Sequence, residues 1–165
     1  MAKKATTKVL SLALDIIQIA CALCVIVFTS WRLINVDREG LKFDTDCLLD
    51  GSGRTGAFTG GQFCAYVIAV AVISLVFNAL VGCARNICKC ITIGGCGSSR
   101  LISIIGDTAL VVWWAVAFYF VVRRGTAANN LGWPEKAARD GVIAATFGAM
   151  AAYFADIVVG FCSLA

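Results

Sequence analysis

Residues 101–122 read LISIIGDTALVVWWAVAFYFVV, an apolar run bounded by Arg100 on one side and Arg123–Arg124 on the other. A helix rises about 1.5 Å per residue, so roughly 20 apolar residues cross the hydrocarbon of a bilayer. This run is therefore expected to be a membrane span. One carboxylate, Asp107, lies inside it. An ionisable group at that depth is costly and normally faces a bundle interior or an aqueous cavity. The span must have neighbours.

Three further apolar segments supply them, giving expected spans over about 9–34, 62–84, 101–122 and 138–162. With 60% hydrophobic residues in 165 and a mean hydropathy of +0.87, the chain lies well above the roughly 45–50% of soluble domains. The expectation is all-α: one integral membrane four-helix bundle over 1–165, with little mass outside the bilayer. The net charge of +4 comes from basic residues near span ends, which argues for membrane flanks and against nucleic-acid binding.

The first span follows Lys3, Lys4 and Lys8, a signal-peptide-like start. Its length, the polar Asp15 and Gln18 within it, and the lack of a clean small-x-small site before Trp31 favour an uncleaved helix. Four spans put both termini on one side. Counting Lys and Arg by loop leans the wrong way, but the three N-terminal charges precede the span that usually sets orientation. They place the termini in the cytosol. The loop over 35–61 mixes acidic and basic residues and ends in GSGRTGAFTGG. That Gly-rich end has neither the strand–helix setting nor the Lys-Ser/Thr pair of a phosphate loop.

Nine cysteines divide by position. Cys47 in the loop and Cys64 at the head of the second span enclose 16 residues. In an oxidising exterior a disulfide between them would contribute roughly 3 kcal/mol; the alternative is two free thiols. Cys83, Cys88, Cys90 and Cys96 fall in or beside the basic link RNICKCITIGGCGSSR. There are no histidines, and the C-x4-C-x-C-x5-C spacing lacks paired C-x2-C knuckles, so a metal is the weakest of three readings. The other two are unmodified thiols and acylation, with Cys83, Cys88 and Cys90 the candidates. Cys21, Cys24 and Cys162 read as small apolar filler.

Depth is the informative coordinate. Counting from the cytosolic end of each span, Asp15, Asn78, Asp107 and Asp156 all lie about six residues in, on the order of 9 Å. Gln18 follows Asp15 on the same helical face. On the fourth span Asp156 continues the small stripe Gly141, Ala145, Gly148/Ala149 and Ala152, a spacing that lets membrane helices approach closely. Two readings stand for this intramembrane layer: a hydrogen-bonded register pin, or a cation or proton site. Beyond Thr108 the third span offers only apolar and aromatic residues, which argues against a pore through one copy. The rings of Trp113, Phe118 and Phe120 form the candidate lipid or partner face, with core filling as the alternative.

Three segments carry a resemblance: FCAYVIAVAVISLVFNAL (63–80), IIGDTALVVWWAVAFYFVV (104–122) and AARDGVIAATFGAMAAYFADIVVGF (137–161). Together they resemble the synaptogyrin and synaptophysin group of four-span MARVEL-domain proteins. In that group the third helix likewise opens with an Asp ahead of a Trp/Phe-rich stretch, which carries over to Asp107 and Trp113–Trp114. An Ala-Arg pair likewise opens the fourth helix, which carries over to Arg139. The plant Casparian-strip membrane proteins are a second group of similar pattern. The resemblance implies a four-span bundle in the plasma membrane or a secretory or vesicle membrane.

No catalytic set is recognisable: there is no His, and neither the hydroxyls nor the membrane carboxylates have a partner system for acid–base work. The expected function is non-enzymatic, without cofactor: lateral association in the bilayer as a homo-oligomer or in a larger membrane complex. An accessory subunit of a channel, pump or respiratory-type complex is the first alternative. A small oligomeric channel or transporter using the Asp layer is the second.

Overall fold

A computed structural model describes residues 2–34, 47–50, 60–91 and 97–162, with side chains described over 9–34, 47–50, 62–83 and 104–162. The described chain is helical: α1 (Ala2–Phe28), continued by a π-helical turn (Thr29–Leu33), α2 (Gly60–Ile91), α3 (Gly97–Asn130) and α4 (Lys136–Cys162). Each contains a stretch long and apolar enough to cross a membrane: Val9–Leu33, Gln62–Cys83, Ile104–Asn130 and Lys136–Cys162.

The helices form a ring. α4 packs most closely on α1 and α3, α2 lies against α1, and α2 and α3 meet more loosely. Neighbours run antiparallel, since Gln18 of α1 meets Asn78 of α2 while Leu33 bonds the segment that is tied to Cys64. The small stripe of α4 faces inward, with Ala145, Ala149 and Ala152 buried. A methyl group on Gly148 would sit 3.0 Å from Cys21 Sγ, so α1 comes that near because the side chain is absent. The core is continuous from Ala22 and Val25 through Val67, Trp114 and Val121 to Leu48 and Leu49. Outward, aliphatic and aromatic side chains such as Leu12, Val76, Val112 and Phe154 are exposed on every helix.

Two helix ends differ from the sequence expectation. Arg123 and Arg124 do not end α3, which runs on to Asn130. Arg124 turns into the bundle, and the following Ala127 and Ala128 are strong helix formers. The stop comes at Gly132, with φ +70°. Gly132 N–H donates to Asn129 O and Trp133 N–H to Ala128 O, both at 3.1 Å, the paired bonds of a Schellman cap, whose left-handed residue suits glycine. The interval left between the third and fourth expected spans therefore shrinks to Leu131–Glu135, with Pro134 within it just ahead of α4. Likewise α2 continues through the basic Cys-rich link to Ile91, and α3 resumes at Gly97.

Candidate functional site: polar layers inside the bundle

The four polar residues singled out by depth come together. Asp15, Asn78, Asp107 and Asp156 line one crevice of about 350 Å3, walled by aliphatic side chains that include Leu12, Ile16 and Ile19 of α1 and Leu75 and Val81 of α2. Asp107 and Asp156 are buried, and Ser11 Oγ donates to Asp156 Oδ1 at 3.0 Å. The antiparallel ring explains the meeting: α1 and α3 enter at this end as α2 and α4 leave it, so equal counts from the boundary give equal heights. Among the described residues, no three Cys, Asp or Glu side chains are grouped closely enough to hold a metal ion.

Gln18 does not line the crevice. It is buried one layer deeper, where its Oε1 accepts from Asn78 Nδ2 at 3.3 Å. The same Nδ2 donates to Tyr153 Oη at 2.9 Å. One turn along α2, Ser74 Oγ accepts from Trp114 Nε1 at 2.9 Å and donates to Val70 O at 2.8 Å. Each helix thus contributes to this layer: Gln18 from α1, Ser74 and Asn78 from α2, Trp114 from α3 and Tyr153 from α4. A buried polar group left unpaired costs about 1–3 kcal/mol, so rotation or sliding of any one helix is penalised. Gln18 Nε2 is the exception, with no hydrogen-bond partner among the described residues.

The opposite end is closed by a short segment invisible to periodicity. Cys47–Asp50 is fully buried and touches every helix. Leu48 N–H donates to Leu33 O at 2.9 Å, at the end of the π-helical turn. Cys47 is disulfide-bonded to Cys64 of α2. Asp50 Oδ2 pairs with Arg124 Nη1 of α3 at 2.9 Å, and that guanidinium lies 4.7 Å from the Phe63 ring centroid. Arg139 of α4, wholly buried, donates to Leu48 O at 3.4 Å, to Asn129 Oδ1 and Trp133 O at 2.7 Å each, and to Pro134 O. One side chain thereby binds the loop segment, the end of α3 and the α3–α4 link. Sequence reading placed Arg139 at the helix entry by resemblance alone and assigned nothing to Arg124, Asp50, Ser74, Trp114 or Tyr153 as sites. The local signals are the basic pair itself and, for Ser74, its place one turn from Asn78 on the same helical face.

The expected aromatic face is not one face. Trp113 is exposed, but Phe118 is half-buried against Phe147 of α4, with ring centroids 5.6 Å apart. Phe120 is half-buried against the core. At 100° per residue, Phe118 lies well round the helix from the other two. Among the acylation candidates Cys83 is an exposed free thiol, while the side chains of Cys88 and Cys90 lie outside the described residues. Cys21 is half-buried, and Cys24 and Cys162 are exposed.

No family model matches the chain, and neither a curated protein nor a solved structure is significantly similar to it.

Proposed function

We propose that the chain is a non-enzymatic four-span membrane protein whose role is lateral association, organising membrane domains or vesicles through contacts within the bilayer. The observation that carries this reading is the division of surface. In each apolar window 22–33% of the residues are buried inside the bundle, and what faces outward between the helix ends is mainly aliphatic or aromatic. Polar side chains turn inward instead, into hydrogen-bonded layers that join all four helices. Such a surface is suited to lipid or to another membrane helix and to little else. The resemblance to four-span MARVEL-domain proteins supports the same reading and residence in the plasma membrane or a secretory or vesicle membrane, and Lys3, Lys4 and Lys8 ahead of the first span support termini in the cytosol.

Native mass spectrometry and blue-native gels of the chain extracted in mild detergent test it. A homo-oligomer is the expected outcome. A defined large assembly with other proteins would instead make the chain an accessory subunit, and a strict monomer with no co-purifying partner would overturn lateral association altogether. The crevice of Asp15, Asp107 and Asp156 favours one second reading, an oligomeric cation or proton path. A conductance in planar bilayers abolished by Asp107→Asn would establish it. If the same variant changes only yield and thermal midpoint, Asp107 is a register pin.

A further inference from the structure

Adjacent arginines on α3 have opposite fates. Arg124 is buried against Asp50, whereas Arg123 is exposed, its Nη1 3.4 Å from Tyr119 Oη one turn back. A similar combination recurs in the π-helical turn that continues α1, where Trp31 is 80% exposed and Arg32, its Nη1 3.9 Å from Glu135 Oε2, still keeps 62% of its side chain accessible. We infer that Trp31, Arg32, Tyr119 and Arg123 form a rim that contacts phospholipid headgroups and holds this end of the bundle at the bilayer interface; the inference rests on the multi-pass reading above. The chemistry is complementary: exposed guanidinium groups meet lipid phosphates, while the indole and phenol rings place an apolar body in the acyl region and a polar edge at its boundary.

Heights along the helices give this rim a measurable position. Asp15 and Asp107 line the same crevice and provide a common origin. Trp31 lies 16 residues beyond Asp15 and Arg123 16 beyond Asp107, so both stand about 24 Å above the crevice. Trp113 lies 6 residues beyond Asp107, about 9 Å above the crevice and about 15 Å below the rim. In a hydrocarbon layer about 30 Å thick, a rim at one interface puts Trp113 near mid-bilayer. Both indoles are accessible from outside the bundle, at 80% and 42% exposure, so each can report its own depth.

The test is depth-resolved fluorescence quenching of the full chain in phosphatidylcholine vesicles brominated either near the headgroup or near the chain ends. Subtracting the signal of Trp31→Phe isolates Trp31, and Trp113→Phe isolates Trp113. Trp31→Tyr replaces the first variant if Phe lowers the yield of folded protein. The expected result is an inversion: Trp31 is quenched about twofold more by the shallow bromines, and Trp113 about twofold more by the deep ones, as an interfacial and a mid-bilayer indole require. Equal quenching of Trp31 at both depths, or stronger quenching by the deep label, overturns the rim while leaving the multi-pass reading intact. A chain that fails to float with the vesicles on a density gradient overturns the multi-pass reading itself.

Discussion

The Trp114 indole donates its N–H to Ser74 Oγ at 2.9 Å, a bond between α3 and α2, the two neighbouring helices that pack least closely. Both residues are fully buried. Where apolar contact is sparse, a directional bond in a low-dielectric interior specifies how one helix is turned against the other. Ser74→Ala is expected to leave the indole N–H unpaired and to cost about 1–3 kcal/mol. Trp114→Phe in the Ser74→Ala background should then cost less than it does alone, because the orphaned donor is gone. Thermal unfolding of the three variants in one detergent measures this, and strictly additive losses would remove the bond from the account.

Arg124 and Asp50 make the second directional tie, between α3 and the closing segment. With 8% and 1% of their side chains accessible, neither charge has water to fall back on. Breaking a buried pair from one side costs about 3–5 kcal/mol, whereas replacing both partners with apolar residues is often near neutral. Asp50→Asn or Arg124→Gln should therefore lower the thermal midpoint sharply, and Asp50→Leu with Arg124→Met should recover much of it. A double variant as unstable as the singles would mean the pair adds more than its own neutralisation.

The disulfide closes a loop of sequence separation 17, worth about 3 kcal/mol in the chain-entropy account. Reduction should lower the unfolding midpoint without releasing the segment, because Arg124 and Arg139 still hold Asp50 and Leu48. Peptide mass analysis before and after reduction identifies the link directly. Alkylation of both Cys47 and Cys64 without prior reduction would show that they are not joined.

At Gly106 the Phe77 ring of α2 packs directly against the backbone of α3. A methyl group there would overlap the Phe77 ring, so Gly106→Ala should cost about 1–3 kcal/mol as overpacking. Phe77→Leu should relieve that clash, making the pair of substitutions less damaging than their sum. If Gly106→Ala is neutral by thermal unfolding, the half-buried Phe77 ring swings aside at little cost and does not pin α3 here.

Much of this was legible in the residues. The four apolar runs and the common depth of Asp15, Asn78, Asp107 and Asp156 follow from counting, because helical rise is constant and the helices alternate in direction. The inward stripe of α4 was readable because small residues at helical spacing have one good use between membrane helices. What misled was reading charge as a boundary. Arg123–Arg124 ended the third span on paper, yet one of the two points inward to a partner 74 residues away. Nor is the aromatic block one face, because helical rotation separates Phe118 from Trp113 and Phe120.

Hydropathy and depth are local sums, so counting along the chain is enough to find four helical stretches able to span a bilayer and a polar layer at one height. Partnership is not local. Only the tertiary structure decided that Cys47–Asp50 closes one end of the bundle, that Arg124 and Arg139 are internal clasps, and that Gln18, Ser74, Asn78, Trp114 and Tyr153 join in one hydrogen-bonded layer. The physical reason is that a buried polar group takes its role from whichever donor or acceptor the opposite helix brings within about 3 Å. That depends on how each helix is rotated about its axis, which packing of the whole bundle sets.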